Sequence, residues 1–230
     1  MLSVFDGLRD VTTLSVFVRL ACALICGGII GIERSYKRRP AGFRTHILIC
    51  IGATITTLTS QYLYLNMHYF TDMARLGAQV VAGIGFIGAG TIIVTKRQRV
   101  KGLTTAAGLW ASACMGLAIG AGFYECVVLG TVLIFLSMRF LPTIENMMVE
   151  RAPFLNIYVE FESLDNIGAI IGRIKEQNSQ ILDVEIDHGR GEGSGNPSAA
   201  FSLRLPRHQP HSDVLVSVSG LDCVYTVEEF

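Results

Sequence analysis

The residues able to do chemistry in this chain are polar side chains set into apolar sequence. Asp72, Arg75 and Gln79 fall at i, i+3 and i+7, which puts a carboxylate, a guanidinium and a carboxamide on one face of a helix. Such a series can cap and pair a helix end, with Asp72 on the free amides, or it can line a polar route. Glu33 and Arg44 stand at the two edges of a short basic segment, ERSYKRRPAGFRTH at 33–46. They can pair there, and Arg34 is the competing partner for Glu33. An ionised group costs at least about 2.5–3.5 kcal/mol at the centre of a membrane span and less toward its ends, so each of these residues requires a partner, water or a position near the interface.

Other chemistry finds little support. The chain has no G-x-S-x-G, no P-loop and no Cys–His pairing, and G-I-G-F-I-G at 83–88 lies inside an apolar run rather than after a strand, so no enzyme is expected. Metal ligation is left unknown: no C-x2-C or H-x3-H spacing occurs, and no ligand cluster supports a Mg2+ site or any other cofactor. Cys22, Cys26, Cys50, Cys114, Cys126 and Cys223 read as small apolar side chains, and His188, His208 and His211 as solvated loop residues.

The elements that must position these residues are long apolar helices. Half of the 230 residues are hydrophobic and 17% are charged, below the roughly 25% of ordinary soluble domains, and the mean hydropathy is +0.46. The average conceals a division into residues 1–145, nearly all apolar between short charged patches, and 146–230, which alternates like a soluble domain. A crossing helix needs about 20 residues, and five segments approach that length, near 14–32, 47–65, 73–94, 103–121 and 124–142. The fifth follows the fourth through a tight turn at 120–125. Hydroxyls in the fourth are expected to bond back to their own helix. Trp110, in its middle, is expected to face protein, and Arg19 and Arg139, near span ends, to snorkel.

The loops 33–46 and 95–101 (TKRQRVK) hold five and four Lys or Arg, whereas 66–72 and 121–124 hold none. Retention of positive loops in the cytoplasm then places the N-terminus outside and the C-terminal domain inside. The first span runs into GGIIGIER with no A-x-A-like cleavage site, so it reads as a retained helix. A net charge of zero with basic residues confined to such loops offers no nucleic-acid surface. The partners expected are the bilayer, a second membrane protein and a further copy of the chain.

Glycine sets the packing. Gly28 and Gly31 end the first span; Gly83, Gly85, Gly88 and Gly90 crowd the third; Gly116 and Gly120 close the fourth. Flat strips of this kind let helix backbones approach closely, within the bundle or between copies. The two hairpins also resemble each other. Gly28-Ile-Ile-Gly31 and Gly85-Phe-Ile-Gly88 are each followed by a basic turn, then by Gly42-Phe-Arg-Thr45 or Gly102-Leu-Thr-Thr105, the pattern of a parallel repeat about an axis normal to the membrane.

Several of these stretches, taken together, resemble one family. Gly31-Ile-Glu33-Arg34, Ala41-Gly-Phe-Arg-Thr-His46, Asp72 with Arg75, Gln79-Val-Val-Ala-Gly-Ile-Gly-Phe-Ile-Gly-Ala-Gly90 and Lys101-Gly-Leu-Thr-Thr-Ala-Ala-Gly-Leu-Trp110 look like the hallmark segments of the MgtC/SapB family of bacterial inner-membrane proteins. The likeness covers about residues 15–140. It implies five spans with a cytoplasmic C-terminus, a link to growth in low magnesium and to survival in host cells, and a possible partner in the proton-driven ATP synthase. The family's polar signature would fall on Glu33, Arg44, Thr45, Asp72, Arg75, Gln79, Thr104, Thr105 and Trp110, with no catalytic role attached.

The tail reads as βαββαβ, with strands near 154–161, 181–186, 199–205 and 223–227 and helices near 165–177 and 212–219. That order suggests a small α+β ferredoxin-like domain resembling the ACT regulatory fold. Three functions follow as expectations: a regulator of magnesium homeostasis and membrane energetics that contacts another membrane protein, an ion transporter or channel using Asp72, Arg75 and Gln79, and a small-effector sensor acting through the tail.

Overall fold

The computed structural model describes residues 3–69, 72–95, 100–149, 152–188, 196–206 and 209–229. The chain forms two units, Met1–Pro142 and Thr143–Phe230.

In the first unit α1 (Thr13–Tyr36) begins at a capping box in which the Thr12 hydroxyl accepts from the Ser15 amide at 3.2 Å and the Ser15 hydroxyl accepts from the Thr12 amide at 2.9 Å. The turn at 37–42 leads into α2 (Phe43–Leu65). The α1 glycines decide how close the two helices lie: a Cβ on Gly27 would stand 2.9 Å from the His46 carbonyl oxygen, and one on Gly31 2.7 Å from Phe43 Cα. The helix α4 (Leu103–Gly120) packs on α2 by the same device, with Cys50 meeting glycines of both α1 and α4. A Cβ at Gly120 would lie 2.7 Å from the Thr54 carbonyl oxygen, and one at Gly116 would collide with the Cys50 carbonyl. The Thr54 hydroxyl stands 2.9 Å from the carbonyl oxygens of both Cys50 and Gly116 and ties the pair together.

The third helix differs from the expected span at 73–94. Helix α3 runs only from Arg75 to Ala89, because the Thr91-Ile-Ile-Val94 stretch is β-branched and disfavours helix. The Thr91 amide and hydroxyl both turn back onto the Gly88 carbonyl, at 2.9 and 2.7 Å. Strand β1 (Ile93–Val94) then pairs antiparallel with β2 (Val100–Lys101). Gly102, at φ +101°, reverses the chain into α4; a side chain there would collide with the Thr91 carbonyl. Lys96, Arg97 and Arg99, which carried much of the positive-loop argument, lie outside the described residues. Gly88 meets Ala106 of α4, and Gly77 meets Leu117, so α3 runs antiparallel to α4.

A tight turn through Gly122 leads to α5 (Tyr124–Val149). Methionine pegs join α5 to α4: Met138 fills the notch at Gly108, and the Met115 methyl lies 2.9 Å from where a Cβ on Gly130 would be. Helices α1, α2, α4 and α5 are long and apolar enough to cross a membrane, whereas α3 is shorter.

The second unit is a four-stranded antiparallel sheet with two helices. Its elements are β3 (Phe154–Phe161), α6 (Ile167–Glu176), β4 (Gln180–Asp187), β5 (Ser198–Arg204), α7 (His211–Ser219) and β6 (Val224–Glu229), in the spatial order β4-β5-β3-β6. Alternate residues of β3, Leu155, Ile157, Val159 and Phe161, join Phe201, Leu203, Ile170, Ile174, Val214 and Val218 in its core. His211 is not the solvated residue expected from sequence, while His188 is exposed and His208 lies outside the described residues. His211 is 5% exposed, with Nδ1 2.7 Å from Glu229 Oε1 and Nε2 donating to the Ala152 carbonyl at 2.9 Å. Because this pair ties the start of the unit to its last strand, His211→Ala is expected to cost about 2 kcal/mol, the usual scale for hydrogen bonds to a charged group. Faster amide exchange in β6 and β3 is the measurement that checks it.

Candidate functional site

The last turn of α1 carries Glu33 and Arg34 toward the bundle, and Lys37, the residue that caps it, stands four positions after Glu33 and three after Arg34, within reach of both. Glu33 and Arg34 are buried, at 6% and 4% exposure. Glu33 Oε1 lies 2.8 Å from Lys37 Nζ and Oε2 lies 3.5 Å from Arg34 Nη1. Of the two partners open to Glu33 in sequence, the structure takes Arg34 and adds Lys37; Arg44 points to the exterior.

Lys37 has a second role that follows from a proline. Pro142 lies inside α5 and has no N–H, so the carbonyl four residues earlier, that of Met138, loses its helical donor. Lys37 Nζ donates to that carbonyl at 3.3 Å. One chain of contacts therefore runs from Glu33 through Lys37 to the proline-freed carbonyl of α5.

His46, in the first turn of α2, is fully buried beside this group. Its Nδ1 donates to the Gly42 carbonyl at 2.9 Å. A Cβ on Gly108 would lie 3.6 Å from His46 Nε2, so the ring abuts the backbone of α4. His46 Nε2, both Glu33 oxygens, Arg34 Nε and, on α4, Ser112 Oγ are buried without a hydrogen-bond partner among the described residues. Ser112 thus departs from the back-bonding expected of hydroxyls in the fourth span; in α2, Thr54, Thr56 and Thr59 do make such bonds.

The opposite end of the bundle holds a residue that sequence reasoning placed wrongly. Arg19 was expected to snorkel, yet it is fully buried. Its guanidinium donates to Gln61 Oε1 at 2.8 Å and to the carbonyls of Gly120 at 2.8 Å, Arg9 at 2.6 Å and Leu8 at 3.2 Å. Gly120 is the last residue of α4, so the cation also meets the negative end of that helix dipole. Beside it Arg9 pairs with Glu125 at 2.6 Å and the Tyr124 hydroxyl donates to the Leu8 carbonyl at 3.2 Å. The legible signal was the joint presence of Arg19, Gln61 and the glycine turn at 120–122, one polar group at the same end of three helices.

Asp72, Arg75 and Gln79 also lie at that end, because α3 runs antiparallel to α4, and the structure does not bring them to Glu33 or Arg44. All three are exposed. Asp72 is not the helix cap, which is Ala74; its carboxylate accepts from the Ala74 amide at 2.9 Å, and among the described residues no ion pair joins it to Arg75. The same uncovered side of α3 carries Gly83, where an added Cβ would meet nothing within 4 Å, and Phe86 at 86% exposure; Gly85, two residues from Gly83 and on another flank, meets nothing either. Gly90 is exposed as well, while Gly28 packs against the Phe43 ring. Trp110, expected to face protein, is half exposed on α4. Thr104 is exposed, Thr45 half-buried and Thr105 buried. Among the described residues no three His, Cys, Asp or Glu side chains gather as a metal site.

Comparison with known proteins places the helical part of the chain in one family. The profile of the MgtC family matches residues 20–147. An uncharacterized protein of Haemophilus influenzae is 36% identical over 189 residues, 78% of this chain and 79% of its own length. A protein of Escherichia coli K12 described as "Putative magnesium transporter YhiD" is 42% identical over 131 residues, 55% of this chain and 60% of its own. Protein SapB of Bacillus subtilis is 29% identical over 220 residues, 93% of this chain and 94% of its own. No solved structure matches.

Proposed function

The chain belongs to the MgtC family, and from that premise we propose that it is a multi-pass membrane regulator in magnesium homeostasis, acting by contact with another membrane protein rather than by moving ions itself. In this reading all five helices traverse the bilayer, the α1–α2 and α3–α4 turns face the cytoplasm, and the βαββαβ unit, whose strand order is that of ferredoxin-like and ACT-like domains, lies on the same side. No enzymatic step is assigned to it.

The observation that carries the reading is the placement of the polar groups. The buried charges Arg19, Glu33 and Arg34 are each fixed by internal partners, whereas Asp72, Arg75 and Gln79 lie on the exterior of α3. An ion route needs polar groups facing a shared internal path; a contact surface needs them outside. The side of α3 with Gln79, Gly83 and Phe86 gives another membrane helix an open approach. The ATP synthase is a candidate partner by family resemblance alone. The transport reading is favoured by the name of the Escherichia coli relative, and reconstituted vesicles separate the two. Flux of Mg2+ or H+ that disappears in Asp72→Asn would establish transport. The expected result is no flux above empty vesicles, with partner capture lost when Phe86 and Gln79 are replaced.

A further inference from the structure

We propose that His211 is held as an imidazolium at neutral pH, and that the second proton it carries fastens the end of β6 to α7. The ring hydrogens can be counted. A carbonyl oxygen only accepts, so the 2.9 Å contact with Ala152 puts one hydrogen on Nε2. Nδ1 lies 2.7 Å from Glu229 Oε1, and an ionised carboxylate accepts only as well. Two acceptors on one ring require a hydrogen on both nitrogens, which the charged form alone has. The 2.7 Å separation is that of a charge-assisted bond. Glu229 is the wet partner: its side chain is 35% exposed against 4% for the histidine, so water keeps the carboxylate ionised and the extra proton rests on the ring.

Among the described residues the neighbouring elements leave this charge in place. The end of α6 offers neutral groups, with Gln177 bonded to Ser217 and to Gln209. On β6, Glu228 pairs beside Tyr158 and turns to the opposite face of the strand from Glu229. Asp213, on α7 itself, is exposed and has the sign that favours an imidazolium. The first turn of α7 opposes it, because a helix N-terminus carries about half a positive charge. A full carboxylate charge at hydrogen-bond distance exceeds that opposition.

Position gives the proton its consequence. Ala152 lies two residues before β3, and β6 is an edge strand beside β3. Pairing with Ile157 holds Glu229 from one side, and the histidine holds it from the other. When Nδ1 releases its proton to water, a lone pair faces the carboxylate while Nε2 keeps its hydrogen on Ala152. The end of β6 then loosens from α7, and the entry to β3 stays fixed. An unfolded histidine, with its ordinary value of about 6.5, has already lost that proton by about pH 7.5. The folded unit therefore binds one proton more, so this contribution is fully present below about pH 6.5, down to the carboxylate range, and is lost as pH rises through the ring's own titration.

The test uses the full chain in lipid nanodiscs, with 15N in the histidine rings. Replacing His68, His188 and His208 leaves His46 and His211, and Glu229→Gln, which should shift only the second, tells them apart. At about pH 7 the His211 ring should carry hydrogens on both nitrogens, and it should turn neutral, with its hydrogen on Nε2, at a midpoint above about pH 7.5. Amides of Val227 to Glu229, corrected for the intrinsic pH dependence of exchange, should lose about tenfold in protection at the same midpoint. Glu229→Gln is the near-isosteric control. A carboxamide can donate a hydrogen of its own to Nδ1, so in that variant the ring should be neutral at about pH 7 and β6 protection should no longer depend on pH. If Glu229→Gln does not fold, His46→Gln serves for assignment and the two titrations of the unaltered residue pair decide. A His211 ring that is neutral at about pH 7, one that stays charged there in Glu229→Gln, or β6 protection that ignores the ring's titration each overturns the proposal.

Discussion

Arg19→Ala is expected to be among the most damaging single substitutions in the membrane unit, at about 3–5 kcal/mol, the range for removing one partner from a buried charged network. The reason lies in what stays behind. Arg19 supplies hydrogens to the carbonyls of Leu8, Arg9 and Gly120 and to the Gln61 side chain, and alanine leaves these acceptors together in a cavity. It also cuts the tie between the N-terminal segment, α1, α2 and the α4–α5 turn. Arg19→Lys should recover only part of the loss, since one ammonium cannot reproduce the planar fork that reaches four acceptors. Chemical unfolding in detergent micelles measures both. A loss under about 1 kcal/mol for Arg19→Ala would mean that water replaces the guanidinium at no cost.

Gly116→Val is expected to disrupt the α2–α4 contact, at about 3 kcal/mol, the upper end for overpacking. The obstruction is backbone rather than a flexible tip: the new Cβ would occupy the space of the Cys50 carbonyl oxygen, and Ala53 leaves no room beside it. The helices would have to separate, which also breaks the Thr54 link to the Gly116 carbonyl. Gly83→Val is the matched control, because nothing lies within 4 Å of its Cβ position. It should change the stability of the isolated chain by less than about 0.5 kcal/mol, while it should weaken partner capture if α3 is the contact surface. Equal losses at Gly83 and Gly116 would show that α3 already packs on something in the isolated protein.

These two substitutions show what the sequence carried and where it stopped. The spacing of glycines marked the helices that approach each other, but it could not tell Gly116, pressed on Cys50, from Gly83, which meets nothing, since periodicity gives a face and not its neighbour. The polar residues divided in the same way. Glu33 with Arg34 was legible because ion-pair partners one residue apart need no tertiary knowledge. Arg19 was placed at an interface although Gln61 was there to be read, because its other three acceptors are backbone carbonyls contributed by two separate segments, and carbonyls leave no trace in residue type. His211 was lost for a similar reason: its partners, Glu229 and the Ala152 carbonyl, are 18 and 59 residues away. The second unit was read more fully, element by element, because alternation along β3 and the isoleucine spacing of α6 are local signals. In α3 the β-branched stretch at 91–94 was taken as apolar span, when its stiffness at Cβ was the information that mattered.

The shortness of α3 has a consequence for the lipid around it. Fifteen residues at about 1.5 Å each rise about 22 Å, some 8 Å less than a typical hydrocarbon core. If α3 traverses the membrane, the bilayer must thin along that side, or water must follow the β1–β2 pair inward to serve the strand edges. Either way the protein would be sensitive to hydrophobic mismatch. Its neighbours, at 18 to 26 residues, fit an ordinary bilayer, so the deformation would be one-sided, favouring thin membranes and drawing other short helices to the same flank.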